Sequence, residues 1–240
     1  MSGQTDTRPV ILLDLDNTIL DFNKAEHHAL GRAFALVGVP FSDEIAKRYH
    51  QINIRHWEML EDGILTRDQV LVKRFEALFR ELGVEADAFR TQALYEKLLG
   101  EGHWFMPGAE ALLDALYGTY RLFICSNGTQ SVQDSRIESA GIARYFEKIF
   151  VSEHMDGNKP EKRFFEHCFR EIPDFERERA IILGDSLTSD IRGGKNAGIR
   201  TCWLRREGRP PRENVVPDYE CTTLEELPKL LGMIFRDAES

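Results

Sequence analysis

The sequence predicts an α/β protein in which a doubly wound parallel sheet is interrupted near its start by an all-α helical bundle. A short apolar strand, Val10–Leu13, comes first. Several segments with helical periodicity then follow one another, with no convincing strand between them. From Pro107 onward, apolar strands alternate with helices, which is typical of βαβ units with right-handed crossovers. Together these observations predict a sheet-forming core and a separate helical domain.

The opening strand ends in two carboxylates, Asp14 and Asp16, which are followed by Asn17 and Thr18. Its apolar residues are typical of a strand buried on both faces of a parallel sheet. Because strand side chains alternate between faces, residues two apart leave the strand on the same side. Two like charges this close need a cation, a proton or a basic side chain to offset them. Taken alone, the stretch leaves open an ordinary Asp/Asn turn that caps the next helix.

The helical segment is defined by the residues that begin and end its helices. Ser42 is a suitable N-cap, and Thr66 opens a capping box that Gln69 completes. We expect helices over residues 24–37, about 43–62, 67–83 and 87–99. Consecutive helices of this kind indicate a bundle. We therefore expect a helical cap domain over residues 22–102, and a core domain made from residues 1–21 and 103–240.

The second half of the chain carries the remaining strands of the predicted sheet. We expect strands over residues 121–125, 148–151, 180–183 and 200–204. The intervening helices are predicted over residues 109–116, 132–140, 161–171 and 190–197. The first strand must join this sheet, because alone it would have nothing to pair with.

Composition excludes several classes of protein. The chain has 240 residues and a formal net charge of −9, and no block of Lys and Arg stands out, so we expect no nucleic acid polymer as partner. No apolar run reaches the length of a membrane span, and nothing at the amino terminus resembles a signal peptide. The four cysteines are far apart with no CxxC pair, which suits reduced thiols. We therefore expect a cytoplasmic protein with no membrane partner.

Three more predicted strand or loop ends bring polar residues to the edge that holds Asp14 and Asp16. One strand delivers a hydroxyl followed by backbone N–H groups that a phosphate could use. A lysine precedes Pro160, and a later strand ends in two further acids. Such a group of carboxylates, with a lysine and a hydroxyl, calls for a hard divalent cation and an anionic ligand. The residues concerned are Ser126, Asn127, Gly128, Lys159, Asp185 and Asp190.

The four segments DLDNT, Ser126 with its turn, Lys159-Pro160 and GDSLTSD resemble the ordered motifs of the haloacid dehalogenase-like (HAD) phosphohydrolase superfamily. The helical insert resembles the cap of one large branch of that superfamily. The run from Gly184 to Leu204 is similar, more narrowly, to the noncanonical pyrimidine nucleotidases. This resemblance covers nearly the whole chain, and it implies a Rossmann-like core, a phosphatase activity and Mg²⁺ as cofactor.

The resemblance also implies a role for each acidic residue. Asp14 would be the nucleophile that takes the phosphoryl group as an aspartyl phosphate. Asp16 would protonate the leaving oxygen and then deprotonate the water that hydrolyses this intermediate. Asp14, the backbone carbonyl of Asp16 and the side chain of Asp185 would hold Mg²⁺. Halide-displacing members resemble this chain at the nucleophile but lack the second aspartate, so the presence of Asp16 favours phosphate chemistry.

The remaining residues would bind the phosphoryl group. Ser126, with Asn127 and Gly128, and Lys159 would contact the phosphoryl oxygens and stabilise the transition-state charge. Asp190 would orient Lys159 or a metal-bound water. Serine at position 126 and asparagine at position 17 depart from the commoner threonine and glycine.

We therefore expect a Mg²⁺-dependent phosphomonoesterase that acts on a small phosphorylated metabolite, foremost a pyrimidine nucleoside 5′-monophosphate. The alternatives are a sugar-phosphate phosphatase, another small-metabolite phosphatase or a phosphomutase on the same core, and a non-catalytic binding module. Which cap residues read the substrate is open. Four residues of the second predicted cap helix could face the substrate, or they could belong to a packed or solvated helix face: Asn53, His56, Trp57 and Glu58. The oligomeric state is open as well.

Overall fold

The computed structural model describes residues 5–206, 211 and 214–236, and one of its two compact units contains a parallel sheet. Within these residues the sheet has six strands in the order β3-β2-β1-β4-β5-β6. The strands are β1 (Val10–Leu13), β2 (Arg121–Ser126), β3 (Lys148–Val151), β4 (Ala180–Gly184), β5 (Arg200–Leu204) and β6 (Tyr219–Cys221). The predicted α/β class with a parallel sheet is confirmed.

The first strand of the chain lies in the middle of the sheet. Leu13 of β1 pairs with Ile124 of β2 on one side and with Leu183 of β4 on the other. Every residue of β1 is buried, which explains its uninterrupted apolar sequence. Because all three strands run parallel, their carboxyl ends meet at one edge, where ligands of open α/β sheets bind.

Nine α-helices accompany the sheet in the described residues. They are α1 (Phe22–Val37), α2 (Asp43–Glu61), α3 (Arg67–Leu82), α4 (Ala88–Leu99), α5 (Ala109–Leu116), α6 (Gln130–Ser139), α7 (Lys162–Glu171), α8 (Arg192–Ala197) and α9 (Leu227–Arg236). Phe164, Phe165 and Cys168 of α7 pack in one apolar cluster with Leu12 and Phe123 of the sheet. None of the described helices is long and apolar enough to cross a membrane.

The described chain divides into two compact units. The first contains residues 5–21, 105–130 and the described residues from 141 onward, and the second contains Phe22–Trp104 with Ser131–Ala140. The second unit therefore extends two residues beyond the expected boundary at residue 102, and it includes most of α6. Gly102 packs tightly inside it, since a Cβ there would lie 2.8 Å from the Cβ of Ala25 and 2.9 Å from the Trp104 ring.

A series of hydrogen bonds between buried side chains links helices of the second unit. Asn53 is 2% exposed; its amide donates to Glu26 Oε2 at 2.7 Å and its oxygen accepts from Arg74 at 2.7 Å. Arg74 also donates to Gln92 at 2.7 Å. His56 bonds through Nδ1 to the carbonyl of Ile52 on its own helix. Asn53 therefore holds a charged pair together inside the helical unit, which is the packed alternative that the sequence left open.

Candidate active site

The carboxylate of Asp14 lies at the end of β1 and is held from several directions. Its backbone N–H donates to the carbonyl of Leu183 at 2.9 Å, which continues the pairing with β4. Its Oδ1 accepts from Lys159 Nζ at 2.7 Å and its Oδ2 accepts from Thr18 Oγ1 at 3.2 Å. Both oxygens of this buried group are therefore fixed in position by the fold.

The turn after Asp14 brings Asp16 to the same edge of the sheet. Asn17 has a φ of 59°, a left-handed conformation that asparagine tolerates better than most residues. Its N–H donates to the carbonyl of Leu20 at 2.7 Å, which closes the turn. Asp16 is half-buried here, and its charge contributes to the electrostatics of Asp14. The left-handed backbone conformation of this turn therefore explains why an asparagine stands at position 17.

Lys159 is the cation at the centre of the site. Its Nζ donates to Asp14 Oδ1, to Asp190 Oδ1 and to the backbone carbonyl of Cys125, each at 2.7 Å. The side chain of Asn127 holds the backbone of Lys159 with two hydrogen bonds. It accepts from the Lys159 N–H at 2.9 Å and donates to the Lys159 carbonyl at 2.8 Å. The bond from Lys159 to Pro160 is cis. The lysine is thus placed by three other segments, at the ends of β1 and β2 and after β4.

Two further carboxylates complete the cluster. Oxygens of Asp14, Asp185 and Asp190 all lie within 4.8 Å of one another, and all three residues are buried. Asp190 sits on a single π-helical turn, Leu187–Ile191, and its Oδ2 accepts from the Ser186 N–H at 3.0 Å. A Cβ at position 184 would lie 2.1 Å from that oxygen, so Gly184 is required for the close approach.

The charges in this cluster do not balance. Burial raises the pKa of Asp14 well above its ordinary value; Lys159 opposes this rise, whereas Asp190, Asp185 and Asp16 add to it. Burial alone would lower the pKa of Lys159, but the charges of Asp14 and Asp190 outweigh it and raise that pKa. One ammonium thus faces three buried carboxylates. Such a donor set of hard oxygens fits a divalent cation, whose charge would offset the excess.

The predicted phosphate-binding turn begins at the end of β2. Ser126 is buried, and its Oγ accepts from the backbone N–H of Gly128 at 3.0 Å. Asn127 contacts Lys159 as described above, so this turn and the lysine form one connected group. The carboxylate of Asp16 is not one of the three clustered acids. The predicted metal ligand of this residue is its backbone carbonyl. The catalytic roles of all these residues stay predictions.

Some residues at the site were not expected from the sequence. The thiol of Cys125 is buried, and the backbone carbonyl of this residue binds Lys159. Trp203 on β5 donates from Nε1 to the carbonyl of Asp185 at 3.0 Å. Arg206 donates to the carbonyl of Asn17 at 3.0 Å. Each of these contacts is made to a backbone carbonyl. Every residue type has such a carbonyl, so the sequence could not predict these contacts.

Comparison with known proteins gives consistent matches along the chain. The family model described as haloacid dehalogenase-like hydrolase matches residues 11–204. The chain is 40% identical over 223 residues to the HAD-hydrolase YfnB of Bacillus subtilis, covering 93% of this chain and 95% of YfnB. A crystal structure of YfnB, described as bound to magnesium, superimposes with a TM-score of 0.89 at 39% identity, covering 93% of this chain and 98% of that one.

Two further relatives carry a substrate class in their names. The chain is 33% identical over 218 residues to the pyrimidine 5′-nucleotidase PynA of Streptococcus pneumoniae, covering 90% of this chain and 92% of PynA. It is 32% identical over 221 residues to the pyrimidine 5′-nucleotidase YjjG of Escherichia coli, covering 92% and 96%. The family match includes most of β1, the Lys159 segment and the Asp185 loop. This chain therefore belongs to the haloacid dehalogenase-like hydrolases.

Proposed function

We propose that this protein is a Mg²⁺-dependent phosphomonoesterase that hydrolyses pyrimidine nucleoside 5′-monophosphates through an aspartyl-phosphate intermediate. The observation that carries the chemistry is the buried Lys159 ammonium, which lies between Asp14 and Asp190 beside a third acid, Asp185. The substrate class is supported by the similarity to PynA and YjjG over at least 90% of the chain.

The first step transfers the phosphoryl group to Asp14. A carboxylate oxygen of Asp14 forms a bond to phosphorus while the bond from phosphorus to the ester oxygen breaks. Lys159 and Thr18 hold the two oxygens of Asp14, so the nucleophile loses little orientational freedom when it reacts. Asp16 gives its proton to the departing ester oxygen, which would otherwise leave as a poorly stabilised alkoxide.

The phosphoryl group itself would be bound by Lys159, by the Ser126 hydroxyl and by the backbone N–H groups of the following turn, at Asn127 and Gly128. Phosphoryl transfer depends mainly on positioning and on stabilisation of charge, and these groups supply both. Asp190 keeps Lys159 in place through the 2.7 Å bond to its Nζ. When bound by Asp14, Asp185 and the backbone carbonyl of Asp16, Mg²⁺ would supply the positive charge that three buried carboxylates call for.

The second step restores the enzyme. Asp16, now ionised, takes a proton from a water molecule, whose oxygen forms a bond to phosphorus. The bond between phosphorus and the Asp14 oxygen breaks, and inorganic phosphate leaves. The same carboxyl group therefore acts first as an acid and then as a base, which returns both Asp14 and Asp16 to their starting states.

A phosphate-release screen tests this proposal. The wild-type protein should release phosphate from UMP, dUMP and dTMP in the presence of Mg²⁺, with a higher kcat/KM than for AMP, GMP or hexose phosphates. Excess chelator should abolish the release. A preference for hexose phosphates would replace the nucleotidase assignment with the sugar-phosphate alternative, and full activity in chelator would refute the dependence on Mg²⁺.

A further inference from the structure

The end of strand β5 contacts both loops that carry the catalytic acids, although β5 itself supplies none of the predicted site residues. Trp203 donates from Nε1 to the backbone carbonyl of Asp185 at 3.0 Å. Arg206, two residues beyond the strand, donates to the backbone carbonyl of Asn17 at 3.0 Å. One segment thus binds the loop after β4 and the turn after β1, which the parallel sheet places at the same edge.

Trp203 also packs against the loop that it binds. It is 1% exposed, lies opposite Gly184 in the register of β4 and β5, and forms an apolar cluster with Leu187 and Ile191. Leu187 and Ile191 begin and end the π-helical turn that carries Asp190. The indole therefore fixes this loop both by packing and by a hydrogen bond. Phenylalanine would keep the apolar ring but could not donate to Asp185.

Arg206 binds the turn at a position where the backbone is unusual. Asn17 has a φ of 59°, and its carbonyl accepts from the guanidinium while its N–H donates to Leu20. Arginine stays charged at every pH of interest, so this bond is charge-assisted and stronger than one between neutral groups. Because Asn17 directly follows Asp16, holding this peptide also restricts the main chain of Asp16.

We propose that Trp203 and Arg206 are positioning residues of this enzyme, with separable effects. Trp203 holds the loop of Asp185 and so supports cation binding, whereas Arg206 holds the turn of Asp16 and so supports proton transfer to the leaving group. This inference rests on the proposed phosphatase function. It differs from a general structural role because the loss in Arg206→Gln should depend on the leaving group, whereas the loss in Trp203→Phe should appear in the affinity for Mg²⁺.

The effect of Arg206 is tested with two substrates whose leaving groups differ. An activated aryl phosphate such as 4-nitrophenyl phosphate departs with little help from a proton, whereas UMP needs that proton. Arg206→Gln should lower kcat on UMP by about 10- to 100-fold, the effect of a small misplacement of a reacting group. It should change kcat on the aryl phosphate much less, with little change in KM for either substrate.

Matched variants complete this test. Arg206→Lys restores a positive charge and a donor, so it should recover part of the loss on UMP. Arg205→Gln is the control, because Arg205 is exposed and pairs with Glu220 at 2.9 Å, away from the acid-bearing turns. Equal losses by Arg206→Gln on both substrates, or the same pattern in Arg205→Gln, would overturn the assignment of Arg206.

The effect of Trp203 is tested by cation binding without substrate. Mg²⁺ is titrated into the protein, and its affinity is read from the rise in Tm above the metal-free value of the same variant. Trp203→Phe should weaken Mg²⁺ binding by about 10-fold, the lower end of the effect seen for partners of metal ligands. Trp57→Phe, on α2 of the other unit, should leave the affinity unchanged. Unchanged affinity in Trp203→Phe would overturn this part of the proposal.

The outcomes separate this inference from the function on which it rests. If the wild-type protein releases no phosphate from any substrate, the proposed function fails, while the Mg²⁺ titration still decides the role of Trp203. If the wild-type protein is active and the substituted proteins show neither pattern, the function stands and the positioning roles are refuted.

Discussion

The substitution Lys159→Met removes a buried positive charge from between two buried carboxylates. The ammonium makes 2.7 Å bonds to Asp14, Asp190 and the carbonyl of Cys125, and methionine can replace none of them. Its flexible apolar chain fills most of the same space, so packing changes little. Removing one partner of a buried ion pair costs about 3–5 kcal/mol, and we expect a loss of this size in the free energy of unfolding.

The loss should depend on pH in a defined direction. Burial raises the pKa of Asp14, and Lys159 opposes that rise, so the pKa of Asp14 should rise further without the lysine. A carboxyl group whose pKa is higher in the folded protein binds more protons there than in the unfolded chain, so folding stability falls as the pH rises. The gap in stability between wild type and Lys159→Met should therefore be larger at pH 8 than at pH 5.

Urea unfolding in metal-free buffer measures this loss, with Lys162→Met as the control. Lys162 is exposed and lies 3.7 Å from Glu166, a surface pair whose removal should change stability by about 0.5 kcal/mol or less. Added Mg²⁺ should stabilise Lys159→Met more than wild type, because the cation takes over the neutralisation of the acids. Equal stability of the two lysine variants at pH 8 would show that Lys159 does not balance this cluster.

Two other substitutions test the site and the helical unit. Asp14→Asn should lower phosphate release from any substrate of the wild type by about 10⁴-fold, because an amide is a poor nucleophile; comparable turnover in the purified variant would refute the covalent mechanism. Asn53→Ala should destabilise the protein by about 2–4 kcal/mol, because Glu26 and Arg74 lose the amide that joins them inside the helices. Urea unfolding checks this, with the exposed Gln51→Ala as control; equal effects would contradict the argument.

The sequence predicted most of the sheet and the gathering of polar residues at its edge. This was possible because parallel strands place their carboxyl ends together, so the residues after each apolar run must converge. Asp14 at the end of β1 and Ser126 at the end of β2 follow this rule directly. The capping box of Thr66 and Gln69 could likewise be predicted, because its two hydrogen bonds join residues that are close in sequence.

Other features could not be read from the sequence for physical reasons. Strand β6 has three residues, too few to show a periodicity, and α9 follows it. The helix predicted from Asp190 begins at Arg192, because one π-helical turn precedes it. Most of α6 packs with the helical unit, although it lies beyond β2 in the sequence. In each case tertiary contacts decide the outcome, and local sequence does not record them.

The central position of β1 has a consequence for synthesis. About 170 residues separate this strand from β4, its partner on one side, so at ribosomal rates of about 5–20 residues per second roughly 10–30 s pass before the pair can form. The helical unit of Phe22–Trp104 is made in the interval and can bury its own apolar residues. Until β4 has been made, at least one edge of this entirely apolar strand stays unpaired on the nascent chain. We expect chaperone binding during synthesis to concentrate on Val10–Leu13, and catalytic competence to arise only after the loop of Asp185 has emerged.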